Sequence, residues 1–223
     1  MDDKILYHGS RGGLEGKPQP ISRARCDFGK GMYFGDNMNQ TKGLVVADIT
    51  PVFYTVKLRL SEIPENRILV LDGLDWLYTV MANRKRAKTF SQLEVAKEIL
   101  QQMDNYDVII GPIADDRMNE AIREFENNSL SEYGLLACLS KVDFGNQYVL
   151  KTDFACSKLD ILSEREMQTE EAKEIQLYAE TKREEGTGIV QWAKAEYLRK
   201  GRYLKEIIED EYEKENKDYD FER

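Results

Sequence analysis

Histidine, cysteine and long apolar runs are scarce in this sequence, and each shortage excludes a class of protein. The 223 residues include one histidine and three cysteines, and Cys26, Cys138 and Cys156 form no CxxC or Cys/His metal motif. Their odd number and wide spacing do not indicate a disulfide framework either. No run approaches the roughly 18 apolar residues that a membrane-spanning helix needs, and the acidic start Met1–Lys4 is not a signal peptide. We therefore expect a cytoplasmic protein without a bound metal.

The charge and length of the chain narrow its class further. A net charge of -9 and an isoelectric point near 4.9 argue against a broad surface for nucleic acid or membranes. The length allows one large domain, or a domain with an appendage. All five prolines and twelve of the fifteen glycines lie in residues 1–162. We expect a turn-rich domain there and a helical extension over residues 163–223.

The first 162 residues contain short β-type segments with helical segments between them, which predicts a mixed fold of the α+β class. The predicted strands are Ile5–His8, Met32–Phe34, Phe53–Leu60, Arg67–Leu71, Val108–Ile110, Gln147–Leu150 and Lys158–Leu162. The predicted helices are Asp72–Asn83, one that starts at the capping box Ser91–Glu94, one with Met118, Ile122 and Phe125 on one face, and one from Ser129 to Leu139.

The extension is expected to form two helices. Ser163–Glu166 has the capping-box pattern of a helix start, and Gly186-Thr187-Gly188 interrupts the helical periodicity. The second helix carries one apolar stripe, interrupted by Gly201, that consists of Val190, Ala193, Tyr197, Leu204, Ile208 and Tyr212. Such a stripe must be buried, either against the first domain or against a partner or a second copy of the chain.

Residues that could carry chemistry lie at the ends of three predicted strands. His8 ends the first strand and is followed by Gly9, Gly29–Gly31 precedes Tyr33 in the second, and Gln147 begins the third. Because glycine lets a ligand approach the backbone, this arrangement predicts a cleft in which the histidine, tyrosine and glutamine converge. The alternative is a hydrogen-bonded core histidine beside a glycine-containing hairpin turn.

Three segments resemble the active-site strands of the diphtheria-toxin-like, or poly(ADP-ribose) polymerase-like, ADP-ribosyltransferases. Tyr7–Ser10 resembles the first strand, Phe28–Asp36 the second, and Asn146–Val149 the third, where a glutamate usually stands. The combination of Leu6–Ser10, Asp27–Gly31 and Tyr106–Ala114 also resembles a bacterial family of uncharacterised domains in that superfamily. The resemblance covers residues 4–162 and leaves out the extension.

The resemblance implies a split, mixed β-sheet with flanking helices that binds NAD, as a substrate, in a cleft. The residues implied to bind NAD are His8, Gly9, Ser10, Arg23, Gly31, Tyr33 and Thr41. By position, His8 binds a ribose hydroxyl on the nicotinamide side, the backbone of Gly9 binds the carboxamide, and Tyr33 packs on the nicotinamide ring. Thr41 stands where the family has a serine that contacts the carboxamide, and Arg23 is placed to neutralise the diphosphate.

The third strand departs from this pattern, because Gln147 stands in the place of the glutamate. An amide can hold a ribose hydroxyl, but it cannot ionise or act as a general base. Three outcomes are open: transfer of a single ADP-ribose with Gln147 as an orienting group, a substitute carboxylate from Asp115, Asp116 or elsewhere, or NAD binding without reaction. Leu44 stands in the place of a second stacking tyrosine, so elongation to poly(ADP-ribose) is not expected.

The leading hypothesis is an NAD-dependent mono-ADP-ribosyltransferase in which His8, Tyr33 and Gln147 form the catalytic set and nicotinamide is released. The expected acceptor is a macromolecule, in the first place a protein. The runner-up is a non-catalytic NAD-binding module that acts through partner contacts of the extension. Removal of an RNA terminal phosphate is the weakest alternative because the chain is acidic. A fourth hypothesis makes residues 163–223 an inhibitory segment over the cleft.

Overall fold

The computed structural model describes residues 1–21, 26–45, 51–84, 87–114, 118–185 and 188–221. Within these ranges seven strands form one mixed β-sheet with helices around it, which confirms the predicted α+β class. The strands are β1 Lys4–Arg11, β2 Met32–Gly35, β3 Pro51–Leu58, β4 Ile68–Val70, β5 Val108–Pro112, β6 Asn146–Leu150 and β7 Leu159–Glu166. The helices are α1 Met38–Gly43, α2 Gly73–Asn83, α3 Glu94–Met103, α4 Met118–Glu126, α5 Glu132–Ser140, α6 Asp153–Cys156, α7 Thr169–Glu185, α8 Ile189–Glu196 and α9 Leu204–Phe221. None of these helices is long and apolar enough to cross a membrane.

The sheet is joined loosely at its centre. Its strand order is β4-β5-β6-β2-β1-β3-β7, with β4 and β5 parallel and the other neighbours antiparallel. β1 pairs with β3 along its whole length, whereas its described pairing with β2 is confined to Tyr7 and Gly35. The two central strands therefore separate toward Arg11 of β1 and Met32 of β2, and a gap opens between the two halves of the sheet.

Each face of the sheet buries its own apolar cluster. Because successive strand residues point to opposite faces, Phe34 contributes to one cluster while its neighbour Tyr33 packs against the other. The cluster on the Tyr33 face also contains side chains from α2, α3, α4 and α5, among them the fully buried Leu77. Burying one such aliphatic side chain contributes about 1.5–3 kcal/mol, so this cluster holds the sheet and the helices together.

All seven predicted strands are present, with small shifts at their ends. β3 ends at Leu58 because Leu60–Glu62 forms a tight 3-10 turn. The predicted capping box at Ser91 is wrong: Ser91 lies inside another 3-10 turn, and its Oγ donates to the carbonyl of Lys88. The carboxylate of Glu211 instead accepts the free backbone N–H groups at the start of α3. A contact between distant segments therefore replaces the local cap.

The start of the extension differs from its prediction. The predicted capping box at Ser163 is wrong, because β7 continues to Glu166 and Ser163 pairs with Thr55 of β3. The predicted boundary between residues 162 and 163 thus falls inside a strand. In this segment, Ser163–Glu166 pair residue by residue with β3 at the edge of the sheet, and this pairing outweighs a short helix-start pattern.

The described residues of the rest of the extension form three helices where two were predicted, because a turn with Gly201 at φ 77° separates α8 from α9. Of the two alternatives for the apolar stripe, packing on the first domain is the one observed. Val190, Ala193 and Leu204 are buried in the same cluster as the side chains of α2 and α5. Tyr212, which the stripe included, is instead 64% exposed.

Candidate functional site

His8 lies where β1 and β2 separate. Its backbone pairs with Tyr54 of β3, and its Nδ1 lies 2.8 Å from the carbonyl oxygen of Tyr33 on β2. In a continuous antiparallel ladder, a backbone N–H of the neighbouring strand would donate to such a carbonyl. Here the imidazole takes that role, so the side chain of His8 bridges the gap between the two halves of the sheet.

The surroundings of His8 fix its protonation. A carbonyl only accepts hydrogen bonds, so Nδ1 carries the proton and Nε2 is left as an acceptor. The rings of Phe34 and Tyr54 lie 5.4 and 6.1 Å from the imidazole centre. Burial lowers the pKa of His8 below its ordinary value, and the bond to Tyr33 offsets only part of this. The ring is therefore neutral near pH 7, and its Nε2, which bonds to none of the described residues, can accept a ligand hydroxyl.

Two glycines let α1 approach the sheet beside this gap. A Cβ on Gly9 would lie 2.8 Å from Cγ2 of Val45 and 3.2 Å from the carbonyl of Thr41. A Cβ on Gly35 would lie 2.6 Å from Oγ1 of Thr41, which donates to the carbonyl of Asn37 at the start of the helix. The predicted carboxamide pair, Gly9 and Thr41, is thus in direct proximity.

The ring of Tyr33 points away from His8. Its hydroxyl donates to the carbonyl of Gly29 at 2.7 Å and accepts from the N–H of Phe28 at 3.0 Å. Burial raises the pKa of this hydroxyl well above its ordinary value, so the phenol stays neutral at any physiological pH. The side chain therefore holds the loop before β2 and presents only part of its surface toward the site.

Gln147 is tied into a buried polar network. It pairs across the sheet with Gly35, and its Nε2 donates to Oδ2 of Asp27 and to the carbonyl of Pro112, each at 3.0 Å. The other oxygen of Asp27 accepts from Nε and Nη2 of Arg84, at 2.6 and 2.5 Å. A neutral amide thus stands in front of a carboxylate–guanidinium pair.

The predicted site residues divide between the faces of the sheet. Tyr33 pairs with Val149, so Gln147, two residues earlier on β6, lies on the face of Tyr33. Gly9 faces α1 on that same side, while His8 packs against the rings of the opposite face. Gly9, Thr41 and Gln147 are therefore brought to one face around Gly35, and His8 sits in the gap beside them. Their common role in binding NAD stays a prediction.

Two further residues that were predicted to bind NAD have structural roles. The hydroxyl of Ser10 donates to the carbonyl of Gly13 at 2.7 Å, which closes the turn after β1. A Cβ on Gly31 would lie 2.5 Å from Cγ1 of Val149, so this glycine lets β2 and β6 approach each other. Both positions serve the shape of the gap.

The remaining predicted residues add little to the described site. Leu44 is 62% exposed, and Val45 occupies the space above Gly9. Arg23, Asp115 and Asp116 lie outside the described residues. Within the described ranges, no group of three or more His, Cys, Asp or Glu side chains could hold a metal ion.

A model of the family described as "Protein of unknown function (DUF3990)" matches residues 4–161. The chain belongs to the DUF3990 family. The match includes β1 to β6 and ends inside β7, so all the candidate site residues belong to the DUF3990 region and the extension lies outside it. We found no significant match to this chain among curated proteins or among solved structures.

The extension touches the DUF3990 region next to the site. Lys42 of α1, 7% exposed, forms an ion pair with Glu171 of α7, and Arg165 donates twice to the same carboxylate at 2.8 Å. Both cations lie over the ring of Phe53, at 5.3 and 5.6 Å from its centre. Glu171 has its pKa lowered to about 2 by these hydrogen bonds. The pair anchors α7 on α1.

Sequence reasoning gave Asp27, Arg84 and Lys42 no role in the candidate site. Asp27 carried one available signal, since an acidic residue directly before the apolar Phe28 and a glycine turn is well placed to be buried and paired. Arg84 and Lys42 carried none, because their partners are 57 and 129 positions away in the chain (84 less 27, and 171 less 42).

A separate cavity lies away from this site. It has a volume of about 250 Å³ and is enclosed by α2, α3 and α9, with Tyr78, Arg202 and Asp210 in its wall. Arg202 is already bonded to Asp210 and Glu132, and Tyr78 to Glu132. These three side chains in the wall of the cavity therefore have partners within the protein, which is typical of structural packing.

Proposed function

We propose that this protein is an NAD-dependent mono-ADP-ribosyltransferase with a macromolecular, in the first place protein, acceptor. The observation that carries the proposal is the gap between β1 and β2, in which a neutral imidazole bonds to Tyr33 and keeps Nε2 available. A ligand with a ribose hydroxyl can donate to that nitrogen. The motif resemblance and the split centre of the sheet support the same ADP-ribosyltransferase-like fold.

The groups around Gly35 suit the nicotinamide end of the ligand. The backbone of Gly9 offers both a donor and an acceptor without a side chain, and Thr41 adds a hydroxyl at van der Waals distance from the sheet. These groups complement a carboxamide, which has one acceptor oxygen and an NH2 donor. Val45 must move from its position over Gly9 before the ring can enter, so binding is expected to shift the end of α1.

The chemistry follows from positioning and charge. Breaking the nicotinamide–ribose bond creates an oxocarbenium-like ribose, and a site that holds the two sugars rigidly lowers the barrier. The amide oxygen of Gln147 can accept a hydrogen bond from a ribose hydroxyl, and Asp27, paired with Arg84, holds that amide in place. Nicotinamide leaves with the bonding electron pair, and the acceptor nucleophile then attacks the ribose carbon and releases its proton.

A second candidate is an NAD-binding module without turnover. The observation in its favour is that Gln147 cannot ionise and that Asp27 is already bonded to Arg84. The nucleophile's proton then has no free carboxylate to go to among these groups. This reading keeps NAD binding and removes the reaction.

Labelled NAD separates the two candidates. The full chain is incubated with adenylate-labelled NAD and cell lysate, while released nicotinamide is measured and NAD affinity is determined by calorimetry. His8→Leu, which cannot donate to Tyr33, should abolish binding, and His8→Gln, whose amide can still donate, should retain part of it. Lys200→Gln, an exposed change far from the gap, is the matched control.

Each result favours one reading. Label on protein together with nicotinamide release supports the transferase, and His8-dependent binding without release supports the module. If NAD does not bind to the wild-type chain at millimolar concentration, both readings are wrong.

A further inference from the structure

A buried carboxylate controls the orientation of the Gln147 amide. Asp27 is 7% exposed and Gln147 is also 7% exposed, and the two are joined by a 3.0 Å hydrogen bond between residues 120 positions apart. Pro112 supplies the second contact of the same nitrogen, again at 3.0 Å. Both hydrogens of the amide NH2 group are thereby used.

Chemistry allows only one orientation of this amide. An ionised carboxylate and a backbone carbonyl are both pure acceptors, so the amide nitrogen must face them and the amide oxygen must face away. The reverse orientation would bring Oε1 to about 3 Å from two other oxygens and leave NH2 without these partners. Trp76 donates to the Pro112 carbonyl at 2.9 Å, which keeps that second acceptor in place.

Arg84 completes the buried polar network of Asp27 and Gln147. Its guanidinium donates to the oxygen of Asp27 that does not touch Gln147, at 2.5 to 2.6 Å. The counter-charge makes a buried carboxylate tolerable, and charge-assisted hydrogen bonds of this length are among the strong ones. The three residues form a line from the surface to the amide: Arg84, then Asp27, then Gln147.

Oε1 of Gln147 makes no hydrogen bond with the described residues, and its cross-strand neighbour Gly35 has no side chain to cover it. Thr41 flanks the same glycine. An acceptor oxygen is therefore presented beside the groups that suit the ligand.

We propose that Asp27 is a positioning residue, which turns Oε1 of Gln147 toward a ribose hydroxyl of the bound dinucleotide. This inference rests on the proposed function, which supplies the ribose. It also explains why an amide stands at this position. A glutamate there would place its carboxylate against Asp27 and the Pro112 carbonyl, where no hydrogen is available between the oxygens.

A double-mutant cycle tests the proposal through nicotinamide release. Asp27→Asn is isosteric but removes the pure acceptor, so the amide of Gln147 loses its single orientation. We expect kcat to fall by about tenfold to a hundredfold with the KM for NAD changed by less than about threefold. In the Gln147→Ala background, Asp27→Asn should have no further effect on kcat, because the group through which it acts is gone.

The cycle distinguishes positioning from mere stability. If Asp27→Asn lowers kcat equally in both backgrounds, or not at all, Asp27 does not act through Gln147 and the inference is wrong while the transferase reading stands. If the wild-type chain binds NAD without turnover, no catalytic step depends on the orientation of Gln147, and the inference is wrong while NAD binding stands. If the wild-type chain neither binds nor cleaves NAD, the proposed function fails first and this inference with it.

If Asp27→Asn does not fold, Gln147→Glu tests the same contact between residues 27 and 147. We expect Gln147→Glu to release less nicotinamide than wild type at pH 8, although it supplies the missing carboxylate. Its melting temperature should lie below that of wild type at pH 8 and approach it as the pH falls toward 5. Stability should rise as the pH falls because repulsion from Asp27 raises the folded-state pKa of the introduced carboxyl group, and protonation of that group removes the repulsion. A variant as stable and as active as wild type at pH 8 would refute the proposed contact.

Discussion

Gly35→Ala tests the packing of α1 on the sheet directly, because Thr41 of α1 lies over this glycine. A Cβ at this position would lie 2.6 Å from Oγ1 of Thr41, and Thr41 cannot swing away freely because it is buried and bonded to Asn37. Overpacking of this kind costs about 1–3 kcal/mol, which for a chain of this size corresponds to a fall of roughly 2–12 °C in melting temperature. NAD affinity should fall as well, since the displaced hydroxyl belongs to the proposed carboxamide pocket.

Gly43→Ala is the matched control on the same helix. The nearest atom to its new Cβ is Cγ2 of Ile175 at 3.7 Å, an ordinary contact. Alanine is also favoured over glycine in a helix by up to about 1 kcal/mol, so we expect an unchanged or higher melting temperature. Differential scanning calorimetry measures both variants. Equal melting temperatures for Gly35→Ala and wild type would show that α1 does not press on β2 as described.

Three more predictions concern titration and ion pairing. The imidazole signal of His8 should titrate in NMR with a midpoint below pH 6.5, because burial lowers the pKa of this ring. The part of the folding free energy that depends on the neutral ring is then lost as the pH falls below 6.5. A midpoint at or above pH 6.5 would contradict the buried geometry. Glu171→Gln should lower the free energy of unfolding at pH 7 by about 1–3 kcal/mol, since it leaves Lys42 buried without its counter-ion. In the wild type this contribution should disappear as the pH falls from 4.5 toward 2, and the exposed Glu174→Gln, as a control, should change little. Burial raises the pKa of Cys138 to about 12 and that of Cys156 to about 11. A thiol reagent at pH 8 should therefore modify the partly exposed Cys26 first. Comparable modification rates at all three cysteines would disprove this burial.

The strands and most helices could be predicted because their signals are local. Alternating or continuous apolar residues identify β1 to β7, and the helix predicted from Ser129 to Leu139 is present as α5, although its N-cap is Ser131. The failures at Ser91 and Ser163 share one cause. In both places a tertiary partner, Glu211 for α3 and Thr55 for β7, satisfies the backbone in a way that short-range propensity does not encode.

The candidate site was predictable only as a set of positions. The motif order placed His8, Gly9, Thr41 and Gln147 near one another, and the structure brings Gly9 and Thr41 into contact. The motif order did not indicate that the ring of Tyr33 turns toward Gly29. That orientation follows from strand alternation combined with which cluster each face buries, and the latter depends on the helices packed there.

Composition and periodicity alone determined the class of the fold, the seven strands and several glycines that permit close approach, because each of these depends on neighbours along the chain. Only the tertiary structure decided that residues 27, 84 and 147 meet in one buried network and that α7 is anchored on α1. Such contacts depend on how the halves of the sheet and the extension pack in space. The orientation of a single amide, and with it the proposed chemistry, is therefore a property of the folded chain.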